Sequence, residues 1–409
     1  MAGRWAAVVG VLLLLPLLPL ASSSMVFKLD GNVYPTGHFY VTMNIGEPAK
    51  PYFLDIDTGS NLTWLECNAV EKGPCLTCNK VPHPLYRPTR NKLVPCADPL
   101  CDTLHHDLGT TKNCRDAVHQ CDYEIAYLDG STSLGVLLRD KFSLPTGSAP
   151  KNSPTIAFGC GYDQVHDPKN AAKVAVDGIL GLGRGSVDLV SQLKRQGAIS
   201  KNVIGHCLST KGGGYLFMGE ENVPSSQVTW VPIAPRTPGR PNHYSPGQAT
   251  LYLDTKSIGT KSMQVVLDSG STYTYLPGDL HTQLVSTLKA SLSKSLKEVP
   301  DPALPLCWKG PRPFKSVDDL KKEFKPLVSL KFGGGVTMAI PPENYLVITE
   351  HGNACFGILA IQGLDMYLIG DITMQDQLMI YDNEKGRIGW MPSPCDKMPK
   401  SKAVIISRI

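Results

Sequence analysis

The 409-residue chain is 42% hydrophobic and 19% charged, a balance that supplies a sizeable core and excludes a disordered polyelectrolyte or a collagen-like repeat. At this length two or three domain-sized units, or one large two-lobed body, are expected. The formal net charge of +4 is carried by Arg4 and the tail 396–409, so residues 25–395 are net neutral and offer no electrostatic footprint for nucleic acid.

Residues 1–24 begin with Arg4, continue through an apolar run from Val8 to Leu18 and end in Ala21-Ser22-Ser23-Ser24. That is the pattern of a secretory signal peptide. Pro16 and Pro19 interrupt a run already short of the ~20 residues a bilayer requires, so cleavage is expected, leaving no membrane anchor. The expected destination is the secretory pathway: extracellular, vacuolar or another endomembrane compartment. Residues 25–208 and 209–395 are expected to form two lobes, followed by a solvated basic tail at 396–409.

Along the chain, Phe39, Val41, Met43 and Ile45 alternate with polar residues, the period of a half-buried strand. Gly46-Glu47-Pro48 breaks the run before Tyr52-Phe53-Leu54, and the pair reads as a hairpin. Short apolar runs punctuated by 38 glycines and 33 prolines continue over most of the length, so a mostly antiparallel β protein is expected. Two helices interrupt it. Val187–Gln196 carries Val187, Val190 and Leu193 inward, and a leucine every fourth residue from Leu280 to Leu296 predicts a helix over 279–298.

Twelve cysteines behind a signal peptide point to a disulfide framework. Seven of them, Cys67, Cys75, Cys78, Cys96, Cys101, Cys114 and Cys121, crowd one stretch, while Cys160, Cys207, Cys307, Cys355 and Cys395 are dispersed. Both groups are odd in number, so complete pairing needs at least one bond between them. Cys75 and Cys78 have zinc-site spacing, but no second such pair or paired histidines follow. No metal or cofactor is expected. Gly181-Leu182-Gly183-Arg184-Gly185-Ser186 lacks the Gly-Lys-Ser/Thr of a phosphate loop and reads as strand-to-helix packing. The sequon at Asn61 abuts the turn expected after Asp57, a poor place for a glycan.

The chain echoes itself. Phe53-Leu54-Asp55-Ile56-Asp57-Thr58-Gly59-Ser60 is repeated in kind by Val265-Val266-Leu267-Asp268-Ser269-Gly270-Ser271, and each is followed by an apolar-apolar-Gly run, Ile179-Leu180-Gly181 and Leu368-Ile369-Gly370. This implies two similarly built halves. One Asp-Thr-Gly-Ser is an ordinary turn. Two in matching contexts would set Asp57 and Asp268 face to face, and two close carboxyls share one proton over a range of acid pH. One acts as base towards a water while the other donates to a substrate carbonyl.

These residues resemble the pepsin-like aspartic proteases, in particular their cysteine-rich plant branch with the nucellin-like proteins. The likeness spans about residues 36–392. It rests on both Asp motifs, Trp64 seven residues after Asp57, Tyr127-Leu128-Asp129-Gly130-Ser131, Asp177-Gly178-Ile179-Leu180-Gly181-Leu182-Gly183 and Leu368-Ile369-Gly370-Asp371. The resemblance implies a bilobal β fold with the catalytic Asp57 and Asp268 at the floor of an interlobe cleft. It implies a hairpin flap bearing Tyr127, Asp129 and Gly130, with Trp64 behind the tyrosine. Thr58 and Ser269 would lock the two loops together, Gly59 and Gly270 would allow their close approach, and Ser60 and Ser271 would bind the outer carboxylate oxygens. A Cys307–Cys355 disulfide is implied as well.

The implied activity is acid-optimum endoproteolysis of polypeptides, next to apolar side chains, by a monomer. A secreted noncatalytic binding or inhibitor protein on the same fold is the alternative. Two departures stand out: only Met25–Thr36 precede the first expected strand, short for an inhibitory prosegment, and all seven clustered cysteines lie between Trp64 and Tyr127.

Overall fold

The computed structural model describes residues 24–68, 75, 78, 81–112, 114, 119–144, 153–165, 176–236 and 242–399. Residues 1–23 of the expected signal segment and 400–409 of the tail lie outside the described residues. The expected hairpin forms: His38–Ile45 pairs antiparallel with Lys50–Asp57, with Phe39, Val41, Met43 and Ile45 all buried. Alternation buries one face of each strand, and removing these side chains from water is the main favourable term.

The architecture is mostly β and bilobal. A thirteen-stranded sheet runs from Asp122–Ala126 at one edge, through Lys50–Asp57 and His38–Ile45, to Gln377–Asp382, Arg387–Pro392 and Thr229–Pro232 at the other. A seven-stranded sheet in the second half contains Lys256–Leu267 and Met366–Ile369. A four-stranded sheet carries Cys307–Lys309 against Ala354–Phe356. The boundary expected after residue 208 falls inside the first sheet, where Leu208 faces Gly214 on the neighbouring strand. The halves are therefore joined by continuous backbone pairing there.

Both halves repeat one local arrangement. Lys50–Asp57 lies parallel to Gly178–Gly181, with Asp57 opposite Gly181. Lys256–Leu267 lies parallel to Met366–Ile369, with Leu267 opposite Ile369. Each Asp motif thus leaves a buried strand alongside its own apolar-apolar-Gly run.

Three expectations change. The first strand is Met25–Asn32, which pairs with both Gly214–Met218 and His38–Ile45 and buries Met25, Phe27 and Leu29. The stretch expected to precede the fold is therefore part of it. The long helix is Gly278–Ser291, not 279–298. Leucines four apart drift about 40° per step, roughly 160° from Leu280 to Leu296, so they cannot share one face. Leu284 and Leu288 are buried in the helix, and after it Ser293 turns its own backbone, its hydroxyl accepting from the Ser295 N–H, before the strand Lys297–Val299. The shorter helix spans Leu189–Arg195, capped by Asp188.

Within the cysteine-rich stretch a helix covers Pro99–Leu108. Asp98 accepts from the Leu100 N–H at 2.9 Å, Pro99 opens the first turn and Gly109 closes it with φ +68°. Disulfides Cys101–Cys121 and Cys96–Cys114 pin this helix, and Cys75 pairs with Cys78. Cys67–Cys160 is the bond between clustered and dispersed cysteines. Cys207–Cys395 ties the central sheet to the C-terminal end, and Cys307–Cys355 joins two paired strands. No helix among the described residues is long and apolar enough to cross a membrane.

Candidate active site

The two Asp motifs meet. A Cβ built on Gly59 would fall 2.5 Å from Asp268 Oδ1, and one on Gly270 would fall 2.6 Å from Asp57 Oδ1. Only hydrogen at these two positions lets each carboxyl lie against the opposite loop. The backbones are locked by four crossed hydrogen bonds. The Thr58 N–H donates to Ser269 Oγ (3.1 Å), and the Ser269 N–H donates to Thr58 Oγ1 (3.0 Å). Thr58 Oγ1 in turn donates to the Leu267 carbonyl (3.1 Å), and Ser269 Oγ to the Ile56 carbonyl (2.8 Å).

Each carboxyl is held by its own loop. Asp57 Oδ1 accepts from the Gly59 N–H (2.7 Å) and the Ser60 N–H (3.1 Å), while Ser60 Oγ donates to Asp57 Oδ2. Asp268 Oδ1 accepts from the Gly270 N–H (3.0 Å), and Asp268 Oδ2 from Ser271 Oγ (2.8 Å). Burial, and then the neighbouring Asp268 carboxylate, push the Asp57 carboxyl up from its ordinary value.

Over this pair stands a hairpin formed by Asp122–Ala126 and Thr132–Ser143. Its turn is closed by the Tyr127 N–H on the Ser131 carbonyl (2.9 Å), with Asp129 Oδ1 accepting from the Ser131 N–H (2.9 Å) and hydroxyl (2.7 Å). Gly130 takes φ +84°, a turn conformation that suits glycine. Trp64 Nε1–H donates to the Tyr127 hydroxyl at 2.7 Å. Burial, then the Asp57 carboxylate, raise the Tyr127 phenol, so Tyr127 faces the pair. Leu128 at the turn is 68% exposed.

The glycine run after Gly181 has a packing role. The Gly183 N–H donates to the Ser60 carbonyl at 2.8 Å, and a Cβ there would come within 2.7 Å of that oxygen. Close approach, rather than phosphate binding, accounts for the glycine. The thiols of Cys75 and Cys78 are consumed by their disulfide.

The sequence reading missed four residues. Tyr275, seven residues after Asp268 as Trp64 is after Asp57, pairs with Leu368 just as Trp64 pairs with Ile179. Its phenol is raised by burial, then by Asp129 and Asp268, which places it between the hairpin turn and the Asp pair. The equal spacing was the signal. Asp55 and Asp371 lie behind the pair: Asp371 is fully buried and neither of its carboxylate oxygens has a hydrogen-bond partner. Asp55 was detectable, because period two puts it on the face of Asp57. His243, whose imidazole is lowered by burial with Asp268 opposing, carried no local signal.

Known proteins resemble the chain over its whole length. The family model described as "Xylanase inhibitor N-terminal" matches residues 39–220, and "Xylanase inhibitor C-terminal" matches 245–392. An aspartic proteinase of Oryza sativa subsp. japonica is 50% identical, covering 100% of both chains. Aspartic proteinase 36 of Arabidopsis thaliana is 29% identical, over 91% of this chain and 77% of its own. Among solved structures, Basic 7S globulin from soybean shares the fold with a TM-score of 0.66 at 16% identity, covering 91% of this chain and 95% of its own. The twin Asp loops, the repeated strand pairing and this full-length likeness together show that the chain belongs to the pepsin-like aspartic proteinase family, in its cysteine-rich plant branch.

Proposed function

We propose that the chain is an aspartic-type endopeptidase of the secretory route, active at acid pH on extended polypeptides. The observation that carries the reading is the complete set of hydrogen bonds around two facing carboxyls: both aspartates, both serine hydroxyls, both glycine N–H donors and the crossed Thr58–Ser269 bonds. With the Asp57 carboxyl pushed up, the pair holds one proton at acid pH. The ionised member takes a proton from a water, the protonated member donates to the substrate carbonyl, and the tetrahedral intermediate collapses without a covalent enzyme adduct. Tyr127 and Trp64 then form a roof that excludes bulk water. Leu128, exposed at the flap turn, suits apolar substrate side chains.

A second reading, a noncatalytic binding protein, is favoured by the family models' xylanase-inhibitor descriptions and by the seed-globulin neighbour. Cleavage of a denatured protein from pH 3 to 7, with and without pepstatin, separates the two. Acid-optimum cleavage that pepstatin blocks and Asp57→Asn abolishes supports the peptidase. Inactivity of the oxidised, folded chain supports the binder.

A further inference from the structure

We propose that Asp107, in the last turn of the cysteine-rich helix Pro99–Leu108, is a positioning residue for Asp57, holding the glycine loop 183–187 against the turn that carries the catalytic carboxyl. On local grounds a helix C-terminus is the wrong place for an acid, because the helix dipole there favours cations. The tertiary partners of Asp107 account for it. Its Oδ2 accepts from two consecutive backbone N–H groups, those of Ser186 and Val187 (3.0 Å to the latter). The side chain is only 7% exposed, and its Oδ1 lies 3.6 Å from His106 Nδ1. The inference rests on the peptidase reading.

From the loop the contact passes directly to Asp57. A Cβ on Gly185 would fall 2.6 Å from Asp107 Oδ2 and 2.8 Å from Asn61 Cγ, so only hydrogen there leaves room for the carboxylate and the Asn61 side chain together. The Gly183 N–H donates to the Ser60 carbonyl (2.8 Å), and the Leu182 N–H to the Asp57 carbonyl (2.8 Å). Ser60 in turn donates its N–H (3.1 Å) and its hydroxyl to the two oxygens of the Asp57 carboxyl. The carbonyls of the loop are tied elsewhere, to the helix Leu189–Arg195: Ser191 Oγ donates to Gly185 (3.1 Å) and Arg195 Nη2 to Ser186 (3.0 Å). Losing Asp107 therefore loosens the loop without freeing it.

The helix that presents Asp107 is itself fixed beside the site. Cys101 and Leu104 are buried in a small core with Leu62, Trp64, Tyr123 and Val187. The Cys101–Cys121 disulfide bonds the helix to the residue before the hairpin strand Asp122–Ala126. The cysteine-rich stretch thus supports the catalytic turn through Asp107 and the hairpin through Cys121. Asparagine at 107 keeps an oxygen for the two N–H groups; leucine, of similar size, keeps none.

The test compares the wild type, Asp107→Asn and Asp107→Leu by residue-resolved hydrogen exchange, read at the amides of Gly59, Ser60, Gly183, Ser186 and Val187, with the strand Val328–Phe332 of the other lobe as reference. It needs no turnover, so it stands whether or not the wild type cleaves peptides. In Asp107→Leu all these amides should exchange roughly tenfold faster while the reference strand is unchanged, and Asp107→Asn should stay near wild type. If the wild type cleaves a peptide, kcat for Asp107→Leu should fall roughly fivefold with KM held, and Asp107→Asn should restore it. An inactive wild type with the expected exchange pattern removes the peptidase reading and leaves the clamp standing. Should Asp107→Leu not fold, Asp107→Ala carries the same readout. Faster exchange at Ser186 and Val187 alone, with Gly59 and Ser60 unchanged, overturns the proposal, since the carboxylate would then secure the loop and nothing beyond it. So does an asparagine variant that exchanges as fast as the leucine one, or an acceleration that extends equally to the reference strand.

Discussion

At the residue scale the site depends on hydroxyls and glycines that could pass for turn chemistry. Ser269 stands where pepsin-like sequences usually carry Thr, and its hydroxyl both accepts from Thr58 and donates to Ile56, so the missing methyl costs no hydrogen bond. Thr58→Ala would leave the buried Ser269 N–H and Leu267 carbonyl without these partners. A loss of about 1–3 kcal/mol is expected from urea unfolding. Asp57→Asn should cut cleavage by at least roughly a thousandfold, the scale set by losing an acid–base group and its electrostatic role together. Its stability should behave differently. Burial raises the Asp57 pKa in the folded state, so ionising it destabilises the fold as pH rises, and the asparagine variant should unfold at the same or a higher temperature than wild type at pH 7.

At the element scale the hairpin proposed as the flap has its tyrosine held from behind. Trp64 stands on Trp64–Glu66, a three-residue strand that is parallel to Thr155–Val165 and antiparallel to Gly178–Gly181. The indole is therefore fixed to the strand beside Asp57, while Tyr127 stays on the hairpin. Trp64→Phe removes the donor to the Tyr127 hydroxyl. Peptide hydrolysis should show kcat/KM down roughly tenfold, while thermal unfolding moves by only about 1–2 kcal/mol. The Pro99–Leu108 helix rests on a different support, because it is pinned to Cys121 by Cys101. Replacing both cysteines by serine should cost about 2–4 kcal/mol and speed proteolytic nicking near the helix before the dyad is lost.

At the scale of the whole molecule, buried acids set the pH of maximum stability. Asp371 is held well above the ordinary carboxyl range by burial first, then by Asp55, Asp268 and Asp57. Asp55 is raised in the same way, by burial and then Asp57 and Asp268. Groups raised on folding contribute stability that is complete below the unfolded value of about 3.9 and is lost as pH climbs towards the folded one. The slope is at most about 1.4 kcal/mol per pH unit for each group. His206 opposes this below about pH 6.5, because burial lowers it to about 3 and its charging favours the unfolded chain. The unfolding temperature should therefore fall between pH 6.5 and 8. In Asp371→Asn that fall should be shallower, which differential scanning calorimetry at two or three pH values would reveal.

The chemistry of the site was written locally, in the doubled Asp-Thr/Ser-Gly-Ser after apolar strands, because a turn, a close approach and two carboxyl ligands all lie within four consecutive residues. The strands around it were equally legible from period-two burial, as in Phe39 to Ile45. The helix end at Ser291 was not, since a repeat of four imitates a helical face until its drift accumulates. The Pro99–Leu108 helix had its cap and stop signals in Asp98-Pro99 and Gly109, but its short apolar face was hidden among cysteines. The facing of Asp57 on Asp268 and the burial of Asp371 behind them were decided only by tertiary structure. They join residues far apart in the chain, and no local pattern can specify a contact whose partner is chosen by the packing of two lobes.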